Sequence, residues 1–125
     1  MATFSQIKER VVTKYKSLGS QKEKVEFLYE VQERLRIKHN EKGLLFTDGE
    51  ITKGEWLDFK NKWNSVNQIV AERISTLRVQ VFTEDYSLTV PTDEKDTLRQ
   101  DVWAEKKEAL KNATTYQSDI KTIWQ

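Results

Sequence analysis

The one run of residues with ligand-like spacing is Asp48-Gly49-Glu50-Ile51-Thr52-Lys53-Gly54-Glu55. With Gly49 set at the invariant sixth position of an EF-hand calcium loop, Asp48 falls at the fifth, Ile51 at the eighth and Glu55 at the twelfth. The first and third positions are then Leu44 and Phe46, which offer no side-chain oxygen to a cation that needs about six or more. Capping accounts for the same residues in full. Asp48-Gly49 is a turn signal, Thr52 and Glu55 form a capping box, and Ile51 and Trp56 occupy the two positions of a hydrophobic staple. A helix–turn–helix is expected here, and no metal.

Other chemistry is sparse. His39 is the only histidine, and it lies four residues after Leu35, beside the inner face of a helix. Alone it builds neither a His-rich metal site nor a triad, and a structural or surface role is expected. Glu23, Glu26, Glu30 and Glu33, and again Asp101, Glu105 and Glu108, recur at three- and four-residue steps among Lys and Arg. That is ordinary helix-surface pairing. A di-iron carboxylate site needs two Glu-x-x-His motifs, which one histidine cannot supply. The absence of cysteine removes disulfides, thiolate zinc sites and a thiol nucleophile. No glycine-rich phosphate loop occurs. Arg34, Arg36, Lys38 and Lys42 form a basic stretch of the kind that gains affinity from phosphates, but Glu33 and Glu41 flank it. Neither catalysis nor a cofactor nor a small-molecule substrate is expected.

The elements carrying these residues are helices. Phe4, Ile7, Val11, Tyr15 and Leu18 share a face, which predicts a first helix over 5–18, stopped by Gly19. Ser20 and Glu23 make a capping box that opens a second helix, with Val25, Leu28, Val31 and Leu35 inward and an end near Thr47 despite Gly43. A third helix follows Thr52. It carries an apolar stripe of Trp56, Phe59, Trp63, Val66, Val70, Ile74, Leu77 and Val81. The second and third helices, each about 25 residues or roughly 38 Å long, are joined by a short turn. That implies an antiparallel hairpin. Beyond Ser75, Leu77, Val79 and Val81 alternate, as do Tyr86, Leu88 and Val90. This stretch is either a short β-hairpin or the third helix fraying into an extended strap. After Pro91, Thr92 or Asp93 caps a last long helix to about Ala113, with Leu98, Val102, Ala109 and Ala113 as its apolar face and Trp103 and Leu110 to one side.

Two features point to partners. The aromatic run of Trp56, Phe59 and Trp63, with Ile51, reads as a structural anchor of hairpin and core, and truncating Trp56 is expected to cost about 3–5 kcal/mol, as buried aromatic truncations do. At the other end, Ile120, Ile123 and Trp124 fall on one face of a single helical turn, capped by Ser118 or Asp119. An isolated turn is unstable in water. It must dock on its own bundle or in a neighbour's groove, which makes Trp103, Ile120, Ile123 and Trp124 interface candidates.

Composition sets the frame. Of 125 residues, 37% are hydrophobic and 33% charged, a balance that suits a narrow helical protein with much surface. The net charge of +1 is unevenly spread, +4 over residues 1–46, −2 over 47–91 and −1 over 92–125. No stretch approaches a bilayer-spanning length, and the N-terminus lacks a signal-peptide core. The expectation is a soluble intracellular protein of mainly α class. It comprises a helical hairpin with an extended segment over 1–91, and a C-terminal helix with an apolar tail over 92–125, together forming one unit. The function expected is non-enzymatic, a structural or assembly role through protein–protein contacts in a multi-copy oligomer. The alternative is a small nucleic-acid-binding or transcription-modulating protein using the second helix.

Glu23-Lys24-Val25-Glu26-Phe27-Leu28-Tyr29, the turn Asp48-Gly49-Glu50-Ile51-Thr52 and the short Ile/Trp tail give residues 20–75 and the C-terminus a texture that resembles small helical virion or assembly proteins of tailed bacteriophages. The resemblance implies a place in a capsid, neck or tail, in several copies, first in the host cytoplasm and then in the virion. It assigns no residue a role.

Overall fold

The structure, a computed structural model, describes residues 2–87 and 97–125, and of residues 97–99 the backbone alone. Five helices make up most of it: α1 (Phe4–Ser17), α2 (Gln21–Thr47), α3 (Lys53–Glu84), α4 (Thr97–Lys111) and α5 (Gln117–Trp124). The mainly α class expected from the sequence is what the chain adopts. No described helix is long and apolar enough to cross a membrane.

Local chemistry sets the helix starts. Ser20 Oγ accepts from the Glu23 N–H at the start of α2. Thr52 and Glu55 close a reciprocal capping box at the start of α3. Thr3 and Gln6 form a further box ahead of α1. Each satisfies N–H groups that a helix end leaves without partners, and each contributes about 1 kcal/mol. Gly49, at φ 76°, takes the left-handed conformation that turns the chain between α2 and α3.

The central helix is α2. Phe27, Leu28, Tyr29, Glu30 and Val31 are buried in succession, so α2 is covered on all sides there. It touches each of the other four helices. Its buried residues share one cluster with Ile7 and Val11 of α1, Val66, Val70, Ile74, Val81 and Phe82 of α3, Leu110 of α4, and Ile120, Ile123 and Trp124 of α5. Residues from both sides of position 92 share this one core.

Three expectations need correction. The alternation at Leu77, Val79 and Val81 is not a strand: α3 continues through Glu84, burying Val81 and Phe82 and leaving Val79 exposed. Three residues at alternate positions also sample a helix, and here Phe82 on the Tyr29 ring holds the chain helical. Among the described residues there is no strand. Leu88, Val90, Pro91 and the Thr92 or Asp93 cap lie outside the described residues, as does the Leu98 side chain. In α4 the inward face is Trp103 and Leu110, and Val102 and Ala109 are exposed. Trp103 lies on Phe82 with ring centroids 4.3 Å apart, and a large ring outweighs small alanines in choosing the buried face. Finally, α5 begins at Gln117, and neither Ser118 nor Asp119 caps it.

Candidate functional site

The core stops part-way along α2 and α3. From Arg36 to Ser65 not one residue is buried, although α2 and α3 remain regular helices on either side of the turn. This arm carries Leu44, Leu45, Phe46, Ile51, Trp56, Leu57, Phe59 and Trp63. Leu44 keeps 64% of its surface exposed, Leu57 48% and Phe46 37%.

Rings hold the arm together. Phe46 and Phe59 stack on Trp56 with centroids 5.9 and 6.0 Å away and planes within 12°. His39 lies between Trp56 and Trp63, at 5.2 and 4.5 Å. Trp63 Nε1 donates to the Leu35 carbonyl at 2.8 Å, where the arm meets the core. Rising numbers along α3 thus meet falling numbers along α2. Each ring pair contributes about 0.5–1.5 kcal/mol beyond its burial. Trp56 is half-buried and lies outside the core, packed against rings, and Ile51 beside the turn is also only half-buried. Phe4 of α1 meets Phe59 edge-on at 5.2 Å and braces the arm's base.

One flank of that base is a cleft of about 470 Å³. Phe4, Ile7, Leu45, Phe59 and Trp124 supply its apolar wall. Arg34, Lys38, Lys42 and Lys121 line it as well, against Glu41 as the only acidic side chain among the described residues. Lys38 pairs with Glu41 at 3.5 Å, and Lys42 lies over the Phe59 ring. The buried Arg34 Nε has no hydrogen-bond partner. The basic stretch of the sequence is therefore split: Arg34, Lys38 and Lys42 face the cleft, whereas Arg36 forks onto Glu33.

The apolar tail is docked on its own bundle. Ile120, Ile123 and Trp124 are buried, and Arg10 Nη1 donates to the Ile123 carbonyl at 3.1 Å. Trp103 is half-buried on Phe82 beneath the Arg78 guanidinium. These four residues form internal packing, whereas Leu44, Phe46 and Leu57 stay exposed together on the arm, with Val79 and Val102 exposed elsewhere. Glu30, and not Ser118 or Asp119, satisfies the backbone ahead of α5. Its carboxylate, 5% exposed, accepts the Tyr116 N–H at 2.9 and 3.1 Å. Burial pushes this carboxyl above its usual range. The Tyr116 hydrogen bond pulls it back, and the nearby Glu26 and Asp119 charges push it further up. Tyr86 donates to Glu26, and burial together with that bond holds its phenol well above the ordinary range. Sequence reasoning missed Glu30 and Tyr116, which are far apart in the chain and carry no local motif. The Thr3-x-x-Gln6 box was there to be found.

Among the described residues no group of three or more Asp, Glu or His side chains is placed to hold a metal ion. Comparison with known proteins finds nothing similar: no family model matches the chain, and neither does any curated protein or solved structure.

Proposed function

We propose that this chain is a non-enzymatic structural or assembly protein that works through protein–protein contacts, with the α2–α3 arm, an antiparallel helical hairpin, as the contacting element. The observation that carries the reading is the run from Arg36 to Ser65, rich in large apolar side chains and without one buried residue. Apolar surface gathered at the end of a braced, regular element has the character of an interface and not of scattered surface leucines. The texture shared with small phage virion and assembly proteins offers a setting, a capsid, neck or tail built from several copies.

Photo-crosslinking in the cells that make the protein tests this. A benzophenone side chain at Leu44 or Leu57 gives discrete heavier protein adducts. The same group at Lys8, exposed on α1, does not. Equal labelling at both places, or none at Leu44 and Leu57, overturns the reading.

A further inference from the structure

Two unsatisfied surfaces of this chain complement each other. The arm's tip, Leu44 with residues 46–57, presents exposed Leu44, Phe46 and Leu57 together with Asp48, Glu50 and Glu55 against the single cation Lys53. The cleft at the arm's base presents Phe4, Leu45 and Trp124 beneath Arg34, Lys38, Lys42 and Lys121, with Glu41 the one opposing acidic side chain among the described residues. We propose that the acidic, apolar tip of one copy docks in the cationic, apolar cleft of a second copy. This names the partner for the arm and rests on the protein-contact reading above.

The tip cannot reach its own cleft. Lys38, Lys42, Leu45 and Phe59 sit on the same two helices that continue into the tip. Insertion within one molecule would require those helices to fold back on themselves. The occupant is therefore another molecule. Tip and cleft are different surfaces, so the contact is heterologous. Repeated, it runs head to tail into a ring or a filament. A volume of about 470 Å³ admits a few large side chains and not a whole domain. Each contact is thus small, of the transient class. Its opposed charges make association fall as salt rises.

Charge reversal tests it on the full chain. Asp48→Lys/Glu50→Lys inverts the tip and spares the Thr52–Glu55 cap; Lys38→Glu/Lys121→Glu inverts the cleft. Asp48, Glu50 and Lys121 are exposed and Lys38 is partly buried, and circular dichroism checks that both variants keep wild-type helicity. In sedimentation at low salt, the wild-type mass rises with concentration above the 14.8 kDa monomer and falls back when salt is raised tenfold. Each double variant alone stays monomeric. Mixed, they co-assemble, because the acidic tip of the cleft variant meets the intact cleft of the tip variant and the reversed tip meets the reversed cleft. A wild type that stays monomeric at about 1 mM, a variant that associates like the wild type, or a mixture that stays monomeric overturns the proposal. If the purified chain is monomeric while Leu44 still crosslinks to a different protein, the second copy is refuted as occupant and the protein-contact reading stands.

Discussion

Glu30 is buried, and both its oxygens lie within hydrogen-bond distance of the Tyr116 N–H just ahead of α5. Replacing it by alanine leaves that N–H without an acceptor, at a cost of about 1–3 kcal/mol. With about 2.1 cal/mol/K of unfolding entropy per residue, a chain of this length loses roughly 4 °C of Tm per kcal/mol. Glu30→Ala should therefore melt about 4–12 °C lower. Glu30→Gln keeps an acceptor oxygen and removes a carboxyl whose charge burial opposes. The sign follows from the raised folded-state value. The native state holds this proton to higher pH than the unfolded chain, whose carboxyl titrates near ~4.3. The stabilising contribution is complete below that value and is lost as pH rises through the folded one. Glu30→Gln should thus gain on the wild type as pH rises above the unfolded value of about 4.3, and melt at least as high at neutral pH. Thermal melts by circular dichroism at several pH values read both effects. If Gln falls as far as Ala at neutral pH, or Ala melts like the wild type, the capping argument is wrong.

Three further substitutions probe the packing. Gly43→Ala should stabilise by up to about 1 kcal/mol through helix propensity, because the added Cβ meets Trp56 at an ordinary 3.4 Å; a lower denaturation midpoint would show that the indole cannot take the methyl. Ile123→Ala should cost about 2–5 kcal/mol in urea unfolding, since the side chain is buried in the core; a loss under about 1 kcal/mol would mean that α5 is not docked. Trp56→Ala should cost about 1–3 kcal/mol, below the figure for a fully buried ring, because the indole is half-exposed; a loss above that range would place Trp56 in the stability core.

What the sequence made legible was local. The Thr52–Glu55 cap, the Ser20 start and the end of α2 at Thr47 are written in residues a few positions apart, and the helices begin and end accordingly. Burial along α2 was only partly legible. Positions 25, 28, 31 and 35 read as one stripe, yet Phe27, Tyr29 and Glu30 are buried too, because three further helices cover the remaining sides. Periodicity records a single face and is blind to a central helix. The aromatic stripe misled in the opposite way. Trp56 and Phe59 have the spacing of a core, but among the described residues α1 reaches only as far as Phe4 on Phe59, and the stripe becomes the inside of an arm. The cleft could not be read at all, since Phe4, Lys38, Phe59 and Trp124 meet only in three dimensions.

The arm's makeup has a consequence for how its length can vary. Its register is kept by a ladder of rings repeating along two helices, Trp63 and His39 nearest the core, then Trp56, Phe59 and Phe46 toward the turn. The ladder ties to the bundle at its base, through Trp63 on the core with its hydrogen bond to Leu35 and through Phe4 on Phe59. Adding two helical turns to each strand of the ladder, about seven residues ahead of Thr47 and seven after Lys53, moves the turn outward by roughly 10 Å while preserving face and phase. The reach of this chain is thus an adjustable quantity, open to lengthening by paired insertions near residues 47–53 without a change to the bundle behind it.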